Sequence, residues 1–244
     1  MVVIPCYNEE HRLRVDALDQ ALDAQPDLDL ILVNDGSADG TSRLLARLAA
    51  IHPGRIAALD LPRNRGKGEA VRAGMRSACA SGARYVGFWD ADLATPLDDV
   101  AVFARILEDH PALLTVFGSR VKLMGRRIRR SEVRHYLGRV FATMVSVSLR
   151  AAVYDTQCGA KLFRAGPLLD AVLEEPFTSR WIFDVELLAR LNRLHRAGQA
   201  PPLHALLYEY PLMRWEDVRG SKVSIADFPR SALDLLLIHF RYRA

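Results

Sequence analysis

Short β-rich runs alternate regularly with helical patterns through the first half of the chain, and this alternation leaves few folds open. In the intervening segments, apolar residues recur every three to four positions, as they do on a helix that buries one face. Such a series predicts an α/β domain with a mostly parallel central sheet, flanking helices and right-handed crossovers. Proteins of this class bind ligands beyond the carboxyl ends of their strands. The predicted strands cover residues 2–4, 29–33, 56–61, 85–89 and 113–117.

The second half of the chain is less regular. It contains three helical patterns and two extended ones, and no repeat, low-complexity tract or linker interrupts it. We therefore predict that residues 1–244 form one domain, in which a helical elaboration follows the parallel sheet. The predicted helices cover residues 133–151, 183–195 and 228–242, and the predicted extended segments cover residues 156–163 and 203–210.

The composition is that of an ordinary globular protein. Of the 244 residues, 50% are hydrophobic and 25% are charged, which is enough apolar material for one sizeable core. Met1 leads into the first predicted strand without a signal-like segment, and the longest apolar stretch, residues 233–240, is far shorter than the ~20 residues that span a bilayer. The three cysteines are widely spaced and lack CxxC or histidine pairing, which disfavours disulfide and zinc frameworks. We expect a cytoplasmic protein or one that lies on a membrane surface.

The positive charge is concentrated in one segment. Residues 120–134 contain seven Lys or Arg and a single acid, Glu132, whereas the net charge of the whole chain is only +4. Such a segment is commonly a solvated face, but it also suits nucleic acid, anionic lipid or a phosphorylated substrate. Interleaved aromatic residues and a nucleic-acid-binding motif are missing around it, so we expect phosphate or lipid partners and no nucleic acid.

Two neighbouring carboxylates, Asp90 and Asp92, end a hydrophobic strand. They repel each other unless a cation lies between them, and Mg²⁺ or Mn²⁺ suits oxygen ligands of this kind. A cation held there also bridges the phosphates of a nucleoside diphosphate and stabilises it as a leaving group. Aspartate is common in turns as well, so the pair also has a purely structural interpretation.

Further polar loops lie at the same predicted edge of the sheet. After the second strand, Asp35 is placed to accept a hydrogen bond from a nucleotide base, while Asp39 or Thr41 starts the next helix. A glycine-flanked cationic loop precedes the following helix, so Gly66 and Lys67 form a candidate anion site. The spacings GxxxxGK[ST] and GxGxxG are absent, which disfavours ATPases and dinucleotide-dependent enzymes.

Together these motifs resemble the inverting family 2 glycosyltransferases of the GT-A fold. The segments VIPCYNEE, VNDGSADGT, RNRGKG and DAD occur in that family's order between residues 2 and 92. In the second half, the segments FGSR, DTQCGAKLF, RWIFDVELL and WEDVRGSK are similar to the dolichyl-phosphate β-glucosyltransferase subgroup. The resemblance implies a GT-A fold, Mg²⁺ or Mn²⁺ as cofactor, and transfer of a hexose to a polyprenyl or dolichyl phosphate. Within that subgroup the implied donor is UDP-glucose.

The resemblance also implies a set of site residues. Residues 1–118 would form a nucleotide-sugar-binding half, and residues 119–244 would form an acceptor-binding half. Asp90 and Asp92 would hold the metal, and together with Asp184 they would make up the catalytic set. The residues that bind the nucleotide sugar would be Pro5, Tyr7, Asn8, Glu9, Asp35, Gly66, Lys67, Asp90, Ala91 and Asp92. The residues that bind the acceptor phosphate would be Arg120, Arg134, Gln157, Trp181, Ser221 and Lys222.

The sequence departs from the family pattern at several points. Glu69 replaces the usual second glycine after Gly-Lys-Gly, and Ala160 replaces the usual phenylalanine. Ala94 stands where mannosyl-transferring relatives often have a metal-binding glutamine. The eukaryotic members begin with a membrane-anchor helix that this sequence does not show. The missing anchor predicts a bacterial or archaeal relative that acts on another polyprenyl phosphate. We expect it in the cytoplasm, with peripheral contact at the cytoplasmic face of the membrane.

Alternative mechanisms and donors stay open. A lipid phosphate is already an anion near neutral pH and needs no general base, whereas a hydroxyl acceptor requires a carboxylate, for which Asp184 is the candidate. Favourable electrostatics at a helix start explain Glu186 better than catalysis does. GDP-mannose is the alternative donor. A nucleotidyltransferase and a non-catalytic module that binds nucleotide sugars are the alternatives from other classes.

The last predicted helix carries an apolar stripe beside several arginines. Such a stripe is commonly packed in a core, but it also suits a helix that rests on a membrane interface containing anionic lipid. The stripe consists of Leu233, Leu236, Leu237 and Phe240, and the arginines are Arg230, Arg241 and Arg243.

Overall fold

The computed structural model describes residues 1–129, 132–216 and 228–243, with the side chains of residues 132–135, 228 and 229 outside the description. The strands are β1 (Val2–Cys6), β2 (Leu30–Asn34), β3 (Ile56–Asp60), β4 (Tyr85–Trp89), β5 (Thr115–Ser119), β6 (Arg127–Arg129), β7 (Ala160–Arg164), β8 (Leu207–Pro211) and β9 (Arg214–Glu216). The helices are α1 (Val15–Ala24), α2 (Thr41–Ile51), α3 (Lys67–Ala80), α4 (Asp99–Asp109), α5 (Glu132–Leu149), α6 (Pro167–Leu173), α7 (Phe183–Arg196), α8 (Leu203–Leu206) and α9 (Phe228–Tyr242). The five strands predicted in the first half and the three helices predicted in the second are confirmed.

The main sheet has seven strands in the order β3-β2-β1-β4-β7-β5-β8. Its pairs are parallel except those of β7, which runs antiparallel to both β4 and β5. The prediction of a mostly parallel sheet is therefore confirmed. β7 and β8 come from the second half of the chain, so both halves build one sheet.

Helices cover both faces of this sheet. One apolar layer packs α1, α2 and α4 against one face, and the other packs α3, α5, α6, α7 and α9 against the opposite face. β2 is buried at every position, as expected for a parallel strand covered on both sides. Among the described helices, none has both the length and the hydropathy needed to cross a membrane.

Three details of the sequence prediction were wrong or incomplete. Residues 203–210 were predicted as extended, but the first four form α8, because Leu203 and Leu206 have the spacing of one buried helical face. The segment predicted from residue 156 becomes a strand only at Ala160. The short helix α6 and the two-stranded sheet of β6 and β9 were not predicted. The predicted start of α2 is confirmed, since the backbone N–H of Thr41 donates to Asp39 at 3.0 Å.

A buried polar network ties α7 to α9. The Glu186 carboxylate accepts hydrogen bonds from Arg190 at 3.0 Å and from the Tyr242 hydroxyl at 2.8 Å. It also accepts from the backbone N–H groups of Thr178 and Ser179. Glu186 is fully buried, so the expectation that it serves only helix-start electrostatics was incomplete. It is the central acceptor that joins two helices and the loop before α7.

We expect Arg190→Met to destabilise the fold by about 3–5 kcal/mol, because it leaves the buried Glu186 carboxylate without its cation. Urea denaturation followed by circular dichroism measures the loss. Arg193→Met is the matched control, since this arginine lies one turn away on the exposed side of α7 and should cost about 1 kcal/mol or less. Equal losses in the two variants would contradict the role given to the network.

Candidate active site

The carboxyl ends of three parallel strands meet at one edge of the sheet, where the predicted site residues gather. β1 pairs with β2 in a register that places Cys6 beside Asn34, and β4 lies on the other side of β1. The segments after these strand ends carry Tyr7, Asp35 and Asp90. The topology thus brings together motifs that are far apart in sequence.

Hydrogen bonds join the loop that follows β1 to the loop that follows β2. Asn8, which has a positive φ of 50°, accepts from Ala38 N at 2.9 Å and donates its own N–H to Ser37 Oγ at 3.0 Å. Glu9 N donates to Thr41 Oγ1 at 2.8 Å. Asn8 and Glu9 therefore join the two loops. Their predicted contact with a nucleotide sugar stays a prediction.

Asp35 is a buried carboxylate that fixes the loop before α3. Its oxygens accept from the backbone N–H groups of Arg65 at 2.7 Å and Gly66 at 2.9 Å. Burial raises the pKa of Asp35, and these hydrogen bonds partly offset the effect. Gly36 has a φ of 62°, and a Cβ there would lie 2.4 Å from the backbone of Arg63. Asp35 thus anchors the cationic loop, and its contact with a nucleotide base stays a prediction.

The two glycines of this loop allow close packing against the segment before α7. A Cβ at Gly66 would lie 2.8 Å from the Arg180 side chain, and a Cβ at Gly68 would lie 2.8 Å from Phe183 Cβ. Gly68 N also donates to the Arg180 carbonyl at 3.2 Å. The predicted anion loop is therefore pressed against the second half of the chain. Lys67, between the glycines, begins α3.

Lys67 contacts the predicted metal-binding pair. Its Nζ lies 2.5 Å from Asp90 Oδ1, while Asp92 Oδ1 accepts from Ala94 N at 3.1 Å. Burial disfavours the charge of Lys67, but the carboxylates of Asp90 and Asp184 outweigh it and raise the pKa of Lys67. The pKa of Asp92 is also raised, first by burial and then by repulsion from Asp90. This part of the site concentrates negative charge around one lysine.

Two carboxylates suit a divalent cation that takes its remaining ligands from phosphates. Mg²⁺ in proteins is commonly held by one or two carboxylates together with substrate phosphates and water. Within the described ranges, no group of three or more His, Cys, Asp or Glu side chains is arranged to hold a metal ion. Asp90 and Asp92 therefore fit a cation that binds together with a diphosphate better than a site built by protein side chains alone.

The loop before β7 positions Asp90. Asp90 N donates to the Gly159 carbonyl at 2.9 Å, and a Cβ at Gly159 would come within 1.9 Å of Asp90 Oδ2. In the sequence, Gly159 stands out only as part of the motif DTQCGAKLF. The structure shows that its lack of a side chain makes room for the Asp90 carboxylate.

Arg120, on the predicted acceptor side, is bound to Asp155. Its Nε and Nη2 each donate to an Asp155 oxygen at 2.7 Å, and its guanidinium lies 5.4 Å from the centre of the Trp215 ring. Burial disfavours the charge of Arg120, but Asp155 outweighs it and raises the pKa, and Asp90 acts in the same direction. The charge of Arg120 therefore also interacts with that of Asp90, one of the two carboxylates of the predicted metal site. Its contact with an acceptor phosphate stays a prediction.

The loop that carries Asp155 is held by a residue that sequence reasoning missed. Glu209, in β8, accepts from the backbone N–H groups of Tyr154 and Asp155 at 2.8 Å each. Burial raises the pKa of Glu209, and these hydrogen bonds partly offset it. In the same loop, Thr156 Oγ1 and Gln157 Nε2 are buried and have no hydrogen-bond partner among the residues that the structure describes. Buried polar groups are nearly always paired, so Gln157 fits its predicted role as a ligand-binding residue.

Of the other predicted binding residues, four have described side chains and three do not. Tyr7 is 37% exposed at the end of β1, Pro5 lies within β1, and Ala91 is buried between the two aspartates. Trp181 is half-buried, and its backbone N–H donates to Ser179 Oγ at 3.2 Å. Three predicted acceptor residues lie outside the part of the chain whose side chains are described: Arg134, Ser221 and Lys222.

Asp184 is buried at the start of α7 and paired with Lys161. The Lys161 Nζ lies 2.6 Å from Asp184 Oδ1 and donates to the Cys158 carbonyl at 2.5 Å. The pKa of Asp184 is raised by burial, and the nearby charges of Lys161 and Lys67 offset only part of this increase. A lysine thus occupies one oxygen that a proton acceptor would use. This geometry supports a positioning role for Asp184, and its role as a general base stays a prediction.

Comparison with known proteins gives a consistent match. The model of a family described as Glycosyl transferase family 2 matches residues 1–170. Dolichyl-phosphate beta-glucosyltransferase ALG5C of Trichomonas vaginalis is 30% identical, over 99% of this chain and 71% of that protein. The dolichyl-phosphate beta-glucosyltransferases of Mus musculus and Homo sapiens are 34% and 32% identical, and each match covers 99% of this chain and 75% of the relative. The resemblance found in the motifs is confirmed.

Solved structures share the fold. Glucosyl-3-phosphoglycerate synthase from Mycobacterium tuberculosis in complex with UDP has a TM-score of 0.65 at 22% identity, and the match covers 98% of this chain and 79% of that chain. The same enzyme in complex with Mn²⁺, UDP and glucosyl-3-phosphoglycerate has a TM-score of 0.61 at 19% identity, over 98% and 78% of the two chains. The predicted GT-A fold is confirmed.

We expect Gly159→Ala to weaken Mn²⁺ binding in the presence of UDP by about tenfold or more, because the added methyl group displaces Asp90. Electron paramagnetic resonance of free Mn²⁺ measures the affinity, and thermal denaturation reports the cost in stability.

Gly118→Ala is the matched control, because its Cβ would meet the Cys158 sulfur at 3.0 Å, the Leu212 side chain at 3.1 Å and the Ala160 carbonyl at 3.4 Å, and none of these three nearest atoms belongs to Asp90. Its Mn²⁺ affinity should stay within about twofold of the original protein. If both variants keep that affinity, Gly159 does not set the position of Asp90.

Proposed function

Because this chain belongs to glycosyl transferase family 2, we propose that it transfers glucose from UDP-glucose to a polyprenyl or dolichyl phosphate, with inversion at the anomeric carbon. The observation that carries the proposal is the ion pair of Lys67 with Asp90, next to Asp92 at the sheet edge. The buried Arg120, which is paired with Asp155, also interacts with the charge of Asp90. Lys67, Asp90 and Asp92 belong to the proposed donor half of the chain, and Arg120 belongs to the proposed acceptor half. The full-length similarity to dolichyl-phosphate beta-glucosyltransferases supports the choice of donor and acceptor.

The donor half suits a nucleoside diphosphate sugar. Tyr7 is partly exposed directly after β1, and the buried Asp35 offers an acceptor for a base N–H. Lys67 brings an ammonium to the place where a diphosphate would lie next to Asp90 and Asp92. Mg²⁺ or Mn²⁺, when bound by Asp90 and Asp92, supplies positive charge to the leaving diphosphate. Lys67 and the N-terminus of α3 stabilise the same charge from the protein side.

The acceptor half suits a phosphate monoester. A lipid phosphate attacks as an anion, so the protein needs to position it and has no proton to remove. Arg120 offers the guanidinium hydrogens that Asp155 does not use, and Gln157 offers a buried amide N–H. Asp184 is engaged by Lys161, which favours a phosphate acceptor over a hydroxyl acceptor that depends on Asp184 as a base.

The exposed faces of α5 and α9 favour contact with a membrane surface. The two helices lie side by side, and Ser148 Oγ is 2.9 Å from His239 Nδ1. The apolar stripe on α9 is 52–68% exposed, so its interpretation as packed core is wrong. Arginines near both helices suit anionic lipid, which supports peripheral contact of the proposed enzyme with the cytoplasmic face of a membrane. The exposed apolar residues are Tyr136, Val140, Met144 and Val147 on α5, and Leu233, Leu236, Leu237 and Phe240 on α9.

Radiolabelled UDP-glucose and GDP-mannose, incubated with polyprenyl phosphate and Mg²⁺ or Mn²⁺, test the reaction. We expect a glucosylated lipid that depends on the cation, and a loss of about 100-fold or more in Asp92→Ala, because one of the two carboxylates that would hold the cation at the leaving diphosphate is removed. Asp98→Ala is the matched control, since this exposed carboxylate faces Arg214 and should leave transfer unchanged.

Other outcomes of this assay point to other functions. A mannosylated lipid identifies the alternative donor. No lipid product, together with UDP release in the presence of a hydroxyl acceptor, makes Asp184→Asn the next variant. UDP binding without transfer to any acceptor indicates a non-catalytic binding module.

Sedimentation with vesicles that contain anionic lipid tests the membrane surface. We expect the double variant Leu237→Ser with Phe240→Ser to bind about tenfold more weakly or worse, because two apolar side chains no longer enter the interface. Ile51→Ser is the matched control, since Ile51 is 56% exposed on α2, a helix of the opposite face of the sheet. Unchanged sedimentation of the double variant would rule out this face of α9.

A further inference from the structure

The ion pair between Lys67 and Asp90 uses an oxygen that a metal ion would need. Lys67 Nζ lies 2.5 Å from Asp90 Oδ1, and its side chain is about one quarter exposed. A divalent cation of this type binds carboxylate oxygens at about 2.0–2.1 Å. An ammonium and a doubly charged ion on the same carboxylate would lie only a few ångströms apart and repel each other strongly.

Lys161, the other lysine of this cluster, is held by contacts away from Asp90 and Asp92. It is 0% exposed, donates to Asp184 and to the Cys158 carbonyl, and lies 5.1 Å and 4.7 Å from the centres of the Phe88 and Phe117 rings. It therefore has no freedom to move toward the metal-binding pair. Of the two lysines, Lys67 is the one whose position can respond to a ligand.

The surroundings of Lys67 let it move without a change in the fold. It is the first residue of α3, its four-carbon side chain is flexible, and its Nζ lies 5.8 Å from the centre of the Phe183 ring. Besides Asp90, both Asp184 and Asp92 attract its charge. An ammonium that leaves Asp90 is thus still stabilised by Asp184, and it can turn toward an anion at the start of α3.

We propose that Lys67 and the divalent cation exchange at Asp90, so that the diphosphate of the donor draws the ammonium away and opens the carboxylate to the metal. The inference rests on the proposed function in placing a diphosphate and a cation at this edge of the sheet. Bound alone, the metal ion is repelled by the ammonium of Lys67, and the diphosphate is repelled by the carboxylates of Asp90, Asp92 and Asp184. The diphosphate removes the first repulsion by attracting Lys67, and the metal ion reduces the second by neutralising carboxylate charge. By linkage, nucleotide and metal strengthen each other's binding by the same factor.

Mn²⁺ binding in the absence of nucleotide tests the exchange directly. We expect Lys67→Met to bind Mn²⁺ at least about fivefold more tightly than the original protein, because no ammonium competes for Asp90. Lys67→Arg keeps a cation and should stay within about twofold. Electron paramagnetic resonance at 0.15 M salt gives the affinity, and thermal denaturation confirms that each variant is folded. Lys67→Gln serves as a second neutral variant should the Met variant fail to fold.

Arg12→Met is the matched charge control. Arg12 acts on Asp92 through space and is paired with Glu9 at 3.7 Å, so its removal lowers the positive charge near the site without opening Asp90. At this salt concentration its effect on Mn²⁺ affinity should stay below about twofold. A tightening equal to that of Lys67→Met would overturn the exchange, because general electrostatics would then explain both results.

The readouts separate this inference from the proposed function. If the Lys67→Met and Lys67→Gln variants bind UDP more weakly but bind Mn²⁺ no more tightly, Lys67 is only a diphosphate contact and the exchange is wrong. If the tightening is found but no glycosylated lipid forms with any donor, the exchange stands and the proposed reaction fails. If no variant binds Mn²⁺ with or without UDP, the metal site itself is wrong, and the exchange falls with it.

Discussion

The buried ion pair of Lys161 and Asp184 is the interaction on which the geometry of the site depends. Lys161 lies in β7, between β4 and β5 in the main sheet, and Asp184 lies in the first turn of α7. Taking two charges out of water costs several kcal/mol, and their attraction together with the Cys158 carbonyl offsets that cost only when all three groups stay in place. The pair therefore fixes the loop before β7 and the segment before α7 relative to the sheet.

Two functional positions follow from this constraint. The fixed loop before β7 brings Gly159 against Asp90, and this contact restricts the orientation of the Asp90 carboxylate. The fixed start of α7 brings Arg180 and Phe183 against the glycines on either side of Lys67. A substitution in the second half of the chain can thus alter the nucleotide-sugar half without touching a ligand. This dependence is a reason to regard the proposed halves as parts of one site.

Much of this arrangement could be predicted from the sequence. The period of the apolar residues gave the order of the elements, and the turn residues at strand ends located Asp35 and Asp90. The antiparallel insertion of β7 could not be predicted, because a short buried apolar run carries no information on strand direction or neighbours. The partners of Lys67, Asp184 and Arg120 were missed for a related reason. A charged residue in a motif looks the same in the sequence whether it binds a substrate or pairs with a carboxylate that is distant along the chain.

The charges of the site alternate in a way that suits a reaction between two anions. Asp155 holds Arg120, Asp90 holds Lys67, and Asp184 holds Lys161, so these cations are each balanced by a carboxylate of the chain. A site of unpaired cations would bind any phosphate, and it would also be costly to fold. When each cation is paired, a phosphate can bind that cation only if it displaces the carboxylate or accepts hydrogen bonds from the same cation beside it. In the proposed reaction, the site would then select a diphosphate near Lys67 and a phosphate monoester near Arg120 according to which ion pairs open. The pair of Lys161 is buried too deeply to do so, whereas the side chains of Lys67 and Arg120 are 25% and 13% exposed.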